Sequence, residues 1–186
     1  MTEAQALDIF RRTGALLEGH FILRSGLRSR RYIQCALALQ QMPDVESLAE
    51  GLFDKLTQIE APTILAPAMG GLVIGQEVAR QRKSRFLFAE KVNDALELRR
   101  GFHISPGEKV IIVEDVITKG GRVTEAIEIV RQYQGEVAAV AVLVNRSSNV
   151  DFGVPLINLI KLSVDVFDPE NLPADLQALP ATKPGS

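Results

Sequence analysis

Residues 110–126 read VIIVEDVITKGGRVTEA, and the fold follows from this stretch. Val110-Ile111-Ile112-Val113 is a continuous β-branched run, which suits a central parallel strand buried on both faces. The run ends at Glu114-Asp115, so two adjacent carboxylates sit at the C-terminal end of a strand. That edge is where ligands bind in open α/β sheets. Thr118-Lys119-Gly120-Gly121 then opens a helix expected to reach about residue 134. Glycines let backbone amides turn inward, and a helix N-terminus favours an anion. Carboxylates suit sugar hydroxyls or a cation; the amides, Thr118 and Lys119 suit a phosphate. Together they describe a site for a phosphorylated sugar. The glycine spacing matches neither a Walker A loop nor a dinucleotide fingerprint.

Working outward, helical and extended patterns alternate, as α/β folds do. Upstream, a short apolar run at residues 63–66 leads into Pro67-Ala68-Met69-Gly70-Gly71 and an amphipathic stretch to about residue 82. Residues 85–89 read as the next strand, and residues 92–98 as a polar, flexible hairpin. Downstream, residues 137–144 and 154–162 read as strands. Pro43-Asp44 looks like a helix start, with Leu48, Leu52, Phe53 and Leu56 on one face. Nearer the N-terminus, Thr2 is placed to cap a helix to about residue 13, which Gly14 stops. Extended pieces follow at residues 20–25 and 31–36. The tail from Pro169 carries four prolines and is expected to wrap the surface. The expected architecture is one domain over residues 1–186. An α/β core spans 43–165, with a mostly parallel sheet flanked by helices. A small N-terminal hood covers 1–42 and a C-terminal tail 166–186.

Composition agrees with an ordinary globular chain. The 186 residues are 46% hydrophobic and 24% charged, with a net charge of -2, so nothing global points to nucleic acid or an anionic membrane. No apolar run approaches the ~18 residues of a membrane span. The N-terminus lacks the apolar region of a secretory signal, and a cytoplasmic location is the expectation. The single cysteine, Cys35, rules out an intrachain disulfide and reads as a small half-buried hydrophobe. The two histidines, His20 and His103, read as structural or surface residues.

The segment 110–126 closely resembles the phosphoribosyl pyrophosphate motif of the type I phosphoribosyltransferase family. More of the chain is similar to that family's orotate-using members. Residues 14–26, GALLEGHFILRSG, with Ser29, Tyr32 and Gln34, resemble their N-terminal hood. Residues 67–75, PAMGGLVIG, resemble their pyrophosphate loop. Phe88-Ala89-Glu90-Lys91 and Leu98-Arg99-Arg100-Gly101-Phe102 resemble the borders of a mobile catalytic loop. Val144-Asn145-Arg146-Ser147 resembles the strand end that holds orotate, and residues 180–186, PATKPGS, one bacterial C-terminus.

The resemblance implies a type I phosphoribosyltransferase fold and transfer of phosphoribosyl from phosphoribosyl pyrophosphate to orotate, with Mg2+, in pyrimidine synthesis. It implies that Glu114 and Asp115 bind the ribose hydroxyls, with Asp115 also counted as catalytic. Thr118, Lys119, Gly120, Gly121, Arg122 and Val123 form the 5-phosphate loop, and Met69 and Gly70 cradle pyrophosphate. Lys91, Arg99 and Arg100 bring positive charge to the leaving group. Arg146 pairs with orotate, and Arg24 covers the base. Magnesium is held mainly through substrate phosphates and water. A homodimer is implied, with the mobile loop reaching the neighbouring subunit's site. The chain departs from the better-known branch where Gly70 stands for a pyrophosphate-loop lysine. Its loop interior also has carboxylates, Asp94 and Glu97, and no lysine or histidine. Two other readings stand beside this one: a phosphoribosyltransferase for another base, and a non-catalytic regulator that binds phosphoribosyl pyrophosphate.

Overall fold

The computed structural model describes residues 1–23, 25–163 and 165–184. Thr2 caps α1 (Glu3–Arg12), its hydroxyl accepting from the Gln5 amide while the Gln5 side chain accepts from the Thr2 amide. A hairpin follows, β1 (Leu16–Ile22) and β2 (Arg28–Ile33), paired antiparallel. It starts earlier than residues 20–25 because Leu16 and Ile33 close its open end and are both buried. The second extended piece stops at Ile33, and Cys35 instead begins the short helix α2 (Cys35–Leu39). Next comes α3 (Met42–Leu56), with a proline in its first turn, where a missing amide costs nothing. Its buried stripe includes Leu48, Leu52 and Leu56, and Phe53 is only half-buried.

Alternating strands and helices build the core: β3 (Thr63–Pro67), α4 (Gly71–Arg82), β4 (Arg85–Val92), β5 (Ala95–Leu98), β6 (Lys109–Ile117), α5 (Gly121–Gln132), β7 (Glu136–Asn145) and β8 (Leu156–Lys161). Their sheet has the order β5-β4-β3-β6-β7-β8. All its pairs are parallel except the β4–β5 hairpin. The strand of residues 110–113 thus lies between two parallel neighbours. Its alternate residues enter different packing layers. Ile111 and Val113 join α1, α3 and α4, whereas Val110 and Ile112 join α5. Burial on both sides explains the unbroken hydrophobic run.

The strand continues past the carboxylates, because β6 pairs with β7 as far as Ile117 opposite Asn145. The ligand edge therefore lies beyond Ile117. The parallel strands deliver Pro67, Val92, Ile117 and Asn145 to that one edge.

After β8 the chain turns to the small sheet. β9 (Val166–Phe167) pairs with β2, giving the order β1-β2-β9. The short helix α6 (Ala174–Gln177) follows, with Leu176 buried. Thr182 then bridges Phe21 on the other side of β1. The Ile22 amide donates to Thr182 O, and the Thr182 amide to His20 O, both at 2.8 Å. The tail thus completes both edges of the small sheet, which is more than wrapping a surface. Among the described residues no helix is long and apolar enough to cross a membrane.

Candidate active site

The two acids sit inside β6, where the sheet leaves them little water. Glu114 is 6% exposed and Asp115 is half-buried. Each carboxylate accepts from the next backbone amide: Glu114 Oε1 from Asp115 at 3.0 Å, and Asp115 Oδ1 from Val116 at 2.7 Å. These local bonds aim both side chains. Burial, and then the neighbouring Asp115 carboxyl, pushes the Glu114 pKa up; burial likewise raises that of Asp115. The ligand-free pair holds a proton more firmly than ordinary carboxyls do.

Gly70 lies directly against this pair. A Cβ added there would stand 2.6 Å from Asp115 Oδ1, so the residue-67 loop has no room for a side chain at that point. Chain separation in sequence hides this contact, which joins the end of β3 to the end of β6. Met69 beside it is 81% exposed, at the edge where a ligand would enter.

Beyond Ile117 the chain turns into α5 through Gly120, whose φ of +78° and closeness to Phe152 both favour glycine. A cavity of about 130 Å3 opens there, lined by Glu114 and residues 116–123. The first-turn amides of α5 have no partner within the helix and are available to an anion. Lys119 is exposed and Arg122 half-buried at its rim. An open groove of about 690 Å3 between α1 and α3 contains none of these residues.

Arg146 follows β7 and hydrogen-bonds through its amide to Ile117 O at 2.9 Å. This fixes it beside the turn from β6 into α5. Its Nε is buried without a partner, and burial pulls its pKa down. A desolvated, incompletely bonded guanidinium is costly unless a ligand completes it. Cys35 of α2 and Tyr32 of β2 lie close to it. Cys35 is fully buried rather than half-buried and lies close to Asp115. Burial and then the two acids push its thiol up. No local signal in the sequence links residue 35 to the acids; only the fold brings them together. Asn145 is structural here: its Oδ1 accepts from the amide and hydroxyl of Ser147 and closes the turn after β7.

The remaining cations lie on or beside the β4–β5 hairpin. Lys91 pairs with Asp94 at 2.5 Å, and Arg100 pairs with Glu90 while lying over the Phe88 ring. Arg99 is exposed and has no carboxylate partner among the described residues. Positive φ at Asn93 and Asp94 makes a two-residue turn that a β-hairpin accepts. Arg24 lies outside the described residues.

No cluster of three or more His, Cys, Asp or Glu among the described residues is arranged to hold a metal. Two adjacent carboxylates are a hard oxygen donor set, too few for a cage. They fit a magnesium ion carried mainly by phosphate oxygens and water.

Comparison with known proteins places this geometry. Residues 38–152 match the phosphoribosyl transferase domain family. The orotate phosphoribosyltransferase of Thermotoga maritima is 47% identical over 96% of each chain. That of Desulforamulus reducens is 46% identical over 100% of this chain and 98% of its own. The crystal structure of orotate phosphoribosyltransferase from Aeropyrum pernix superimposes with a TM-score of 0.74 at 23% identity. It covers 83% of this chain and 92% of that one. Near-complete coverage at this identity leaves one conclusion: the chain belongs to the orotate phosphoribosyltransferase family.

Proposed function

We propose that the protein transfers 5-phosphoribosyl from phosphoribosyl pyrophosphate to orotate, releasing orotidine 5-monophosphate and pyrophosphate in pyrimidine synthesis. The observation that carries this choice of base is Arg146. Its half-buried guanidinium has an unpartnered Nε at the ligand edge, and orotate carries the carboxylate such a cation needs. Uracil and purine bases do not.

In this reading the α5 amides, Thr118, Lys119 and Arg122 hold the 5-phosphate. Glu114 and Asp115 accept the ribose hydroxyls, whose protons satisfy carboxylates that burial leaves short of donors. Orotate N1 gives up its proton to water and bonds to ribose C1 as the C1–oxygen bond breaks, and the electron pair of that bond leaves on pyrophosphate. Positive charge develops on the sugar beside the two carboxylates. Met69 and the Gly70 backbone border the leaving group, and Lys91, Arg99 and Arg100 neutralise it. A hairpin closing over the site excludes water that would hydrolyse the activated ribose. Magnesium is the inferred cofactor; bound through the phosphates, it would supply charge neutralisation at pyrophosphate. We infer a homodimer sharing its hairpins across the interface, and a cytoplasmic location.

The test follows the loss of orotate absorbance with phosphoribosyl pyrophosphate and magnesium, with uracil and purine bases in parallel. Turnover with orotate alone is expected. Arg146→Ala should raise the KM for orotate by about 10-fold or more, since one charge-assisted contact is lost. A second reading has a specific observation behind it. Lys91 and Arg100 are already paired with Asp94 and Glu90, which fits a regulator that binds the sugar diphosphate without turnover. Binding of phosphoribosyl pyrophosphate with no turnover of any base would favour it.

A further inference from the structure

The turn of the β4–β5 hairpin is tied to α5 by side chains far from it in sequence. Glu125 Oε2 accepts from the Leu96 amide at 3.0 Å. Arg122 Nη1 donates to the same Glu125 oxygen at 2.8 Å and to Asp94 O at 3.3 Å. Leu96 is buried in the apolar cluster that holds Val123 and Ala126. One face of one helix thus holds the hairpin by an apolar anchor, an amide and a carbonyl. Residues three apart on a helix share a face, so Arg122 and Glu125 act on the hairpin as a unit.

Arg122 also lines the phosphate cavity. Its hydrogen bonds among the described residues use Nη1 alone. A guanidinium presents five donors in a rigid fork, so its other edge is open to a phosphate. We propose that Glu125 is a positioning residue. With Arg122 it latches the hairpin that carries Lys91 to α5 of its own chain and so sets the base from which that hairpin reaches the neighbouring subunit's site; hairpin docking and phosphate binding on α5 reinforce each other. The roles of Lys91 and of the arginines just past the hairpin rest on the proposed function; the latch rests on its own contacts.

The physical argument is one of placement. A partly exposed ion pair adds little stability by itself. Hydrogen bonds to one backbone group in the turn and another just after it set its position instead. Cations that act on a developing charge must be held near it, and small displacements there are costly in rate. Linkage then requires reciprocity: if the docked hairpin favours phosphate, phosphate favours the docked hairpin.

Amide hydrogen exchange of residues 92–98 tests this, with inorganic phosphate and with phosphoribosyl pyrophosphate as probes. Glu125→Ala should speed exchange at the Leu96 amide by about 10-fold or more while β6 and β7 keep wild-type protection. Phosphate should slow exchange of 92–98 in the wild type and leave it unchanged in Glu125→Ala. Glu128→Gln, on the exposed face of the same helix, should behave as wild type. In turnover with orotate, Glu125→Ala should lower kcat by about 10-fold with the KM for orotate nearly unchanged. Glu125→Gln, which keeps an acceptor for the Leu96 amide, should recover most of that loss. Unchanged exchange at Leu96, or a phosphate effect that persists in Glu125→Ala, overturns the latch. Faster exchange spread through the whole sheet also overturns it, because Glu125 would then be merely structural. If the wild type turns over no base, the reading of the reaction fails, and the exchange measurements still decide the latch.

Discussion

At Glu114 and Asp115 two acids stand where the strand admits little water, and the cost falls on the ligand-free protein. Glu114 binds its proton more tightly folded than unfolded, because burial and Asp115 disfavour its charge. Stability from this group is therefore full at low pH and is lost as pH rises above the ordinary carboxylate range. Glu114→Gln removes the penalty. Ligand-free Glu114→Gln should melt above wild type at about pH 8 and level with it at about pH 4.5. A gain of ~1 kcal/mol would move Tm by roughly 2–4 °C in a chain of this size. Thermal melts at the two pH values check this. The same substitution should weaken phosphoribosyl pyrophosphate binding, because an amide keeps one acceptor oxygen, turns the other into a donor and loses the charge that strengthens bonds from hydroxyls. These acids were legible in the sequence because a run of four hydrophobic residues aims at them. Cys35 was not, since nothing near it in sequence marks its approach to Asp115.

Between elements, the decisive contacts are made by loops that leave parallel strands at the same edge. The loop after β3 meets β6 through Gly70, with no side chain between them. Gly70→Ala would drive a methyl into the Asp115 carboxylate. The fold should survive, because Gly70 has φ −58° and ψ −45°, the ordinary helical conformation open to any residue. The expected outcome is wild-type Tm within a few degrees and turnover lowered by about 10²-fold, as when a preorganised group is displaced. Normal kinetics would mean that Asp115 moves freely and is not held for the sugar. Strand and helix order could be read from periodicity alone, since β3, β4, β6 and β7 each give a hydrophobic run. The ends of elements could not. β6 runs on through its acids because β7 supplies partners as far as Asn145. The polar residues 92–98 form a hairpin fixed on α5 by Leu96 and Glu125, contacts that depend on tertiary structure.

Across the whole molecule, the small sheet is finished by chain from the far end of the sequence. β9 takes one edge, Thr182 takes the other, and the Arg30–Asp175 pair joins β2 to α6 between them. The tail's prolines foretold an irregular course, and nothing in its composition foretold pairing with β1. Truncation after Ala178 removes the two backbone hydrogen bonds between Thr182 and β1, the Leu179 amide's bond to Leu176 O, and the carbonyl of Leu179 that meets His20 Nδ1. The truncated protein should lose about 1–3 kcal/mol of hood stability. Hydrogen exchange should report the loss in residues 16–22 while β6 stays protected. Equal exchange in the two proteins would show that the tail only lies along the surface.

That closure sets an order of events in synthesis. The hairpin of β1 and β2 leaves the ribosome before the α/β core, while the segments that cover its two edges follow that core. Until they arrive, both edges expose unpaired amides and carbonyls, the usual template for association with another chain. The α/β core can form around β6 in the meantime. The small sheet is therefore completed only after the core strands, and a nascent chain gains the turn from β6 into α5 before both edges of the β1–β2 hairpin are covered.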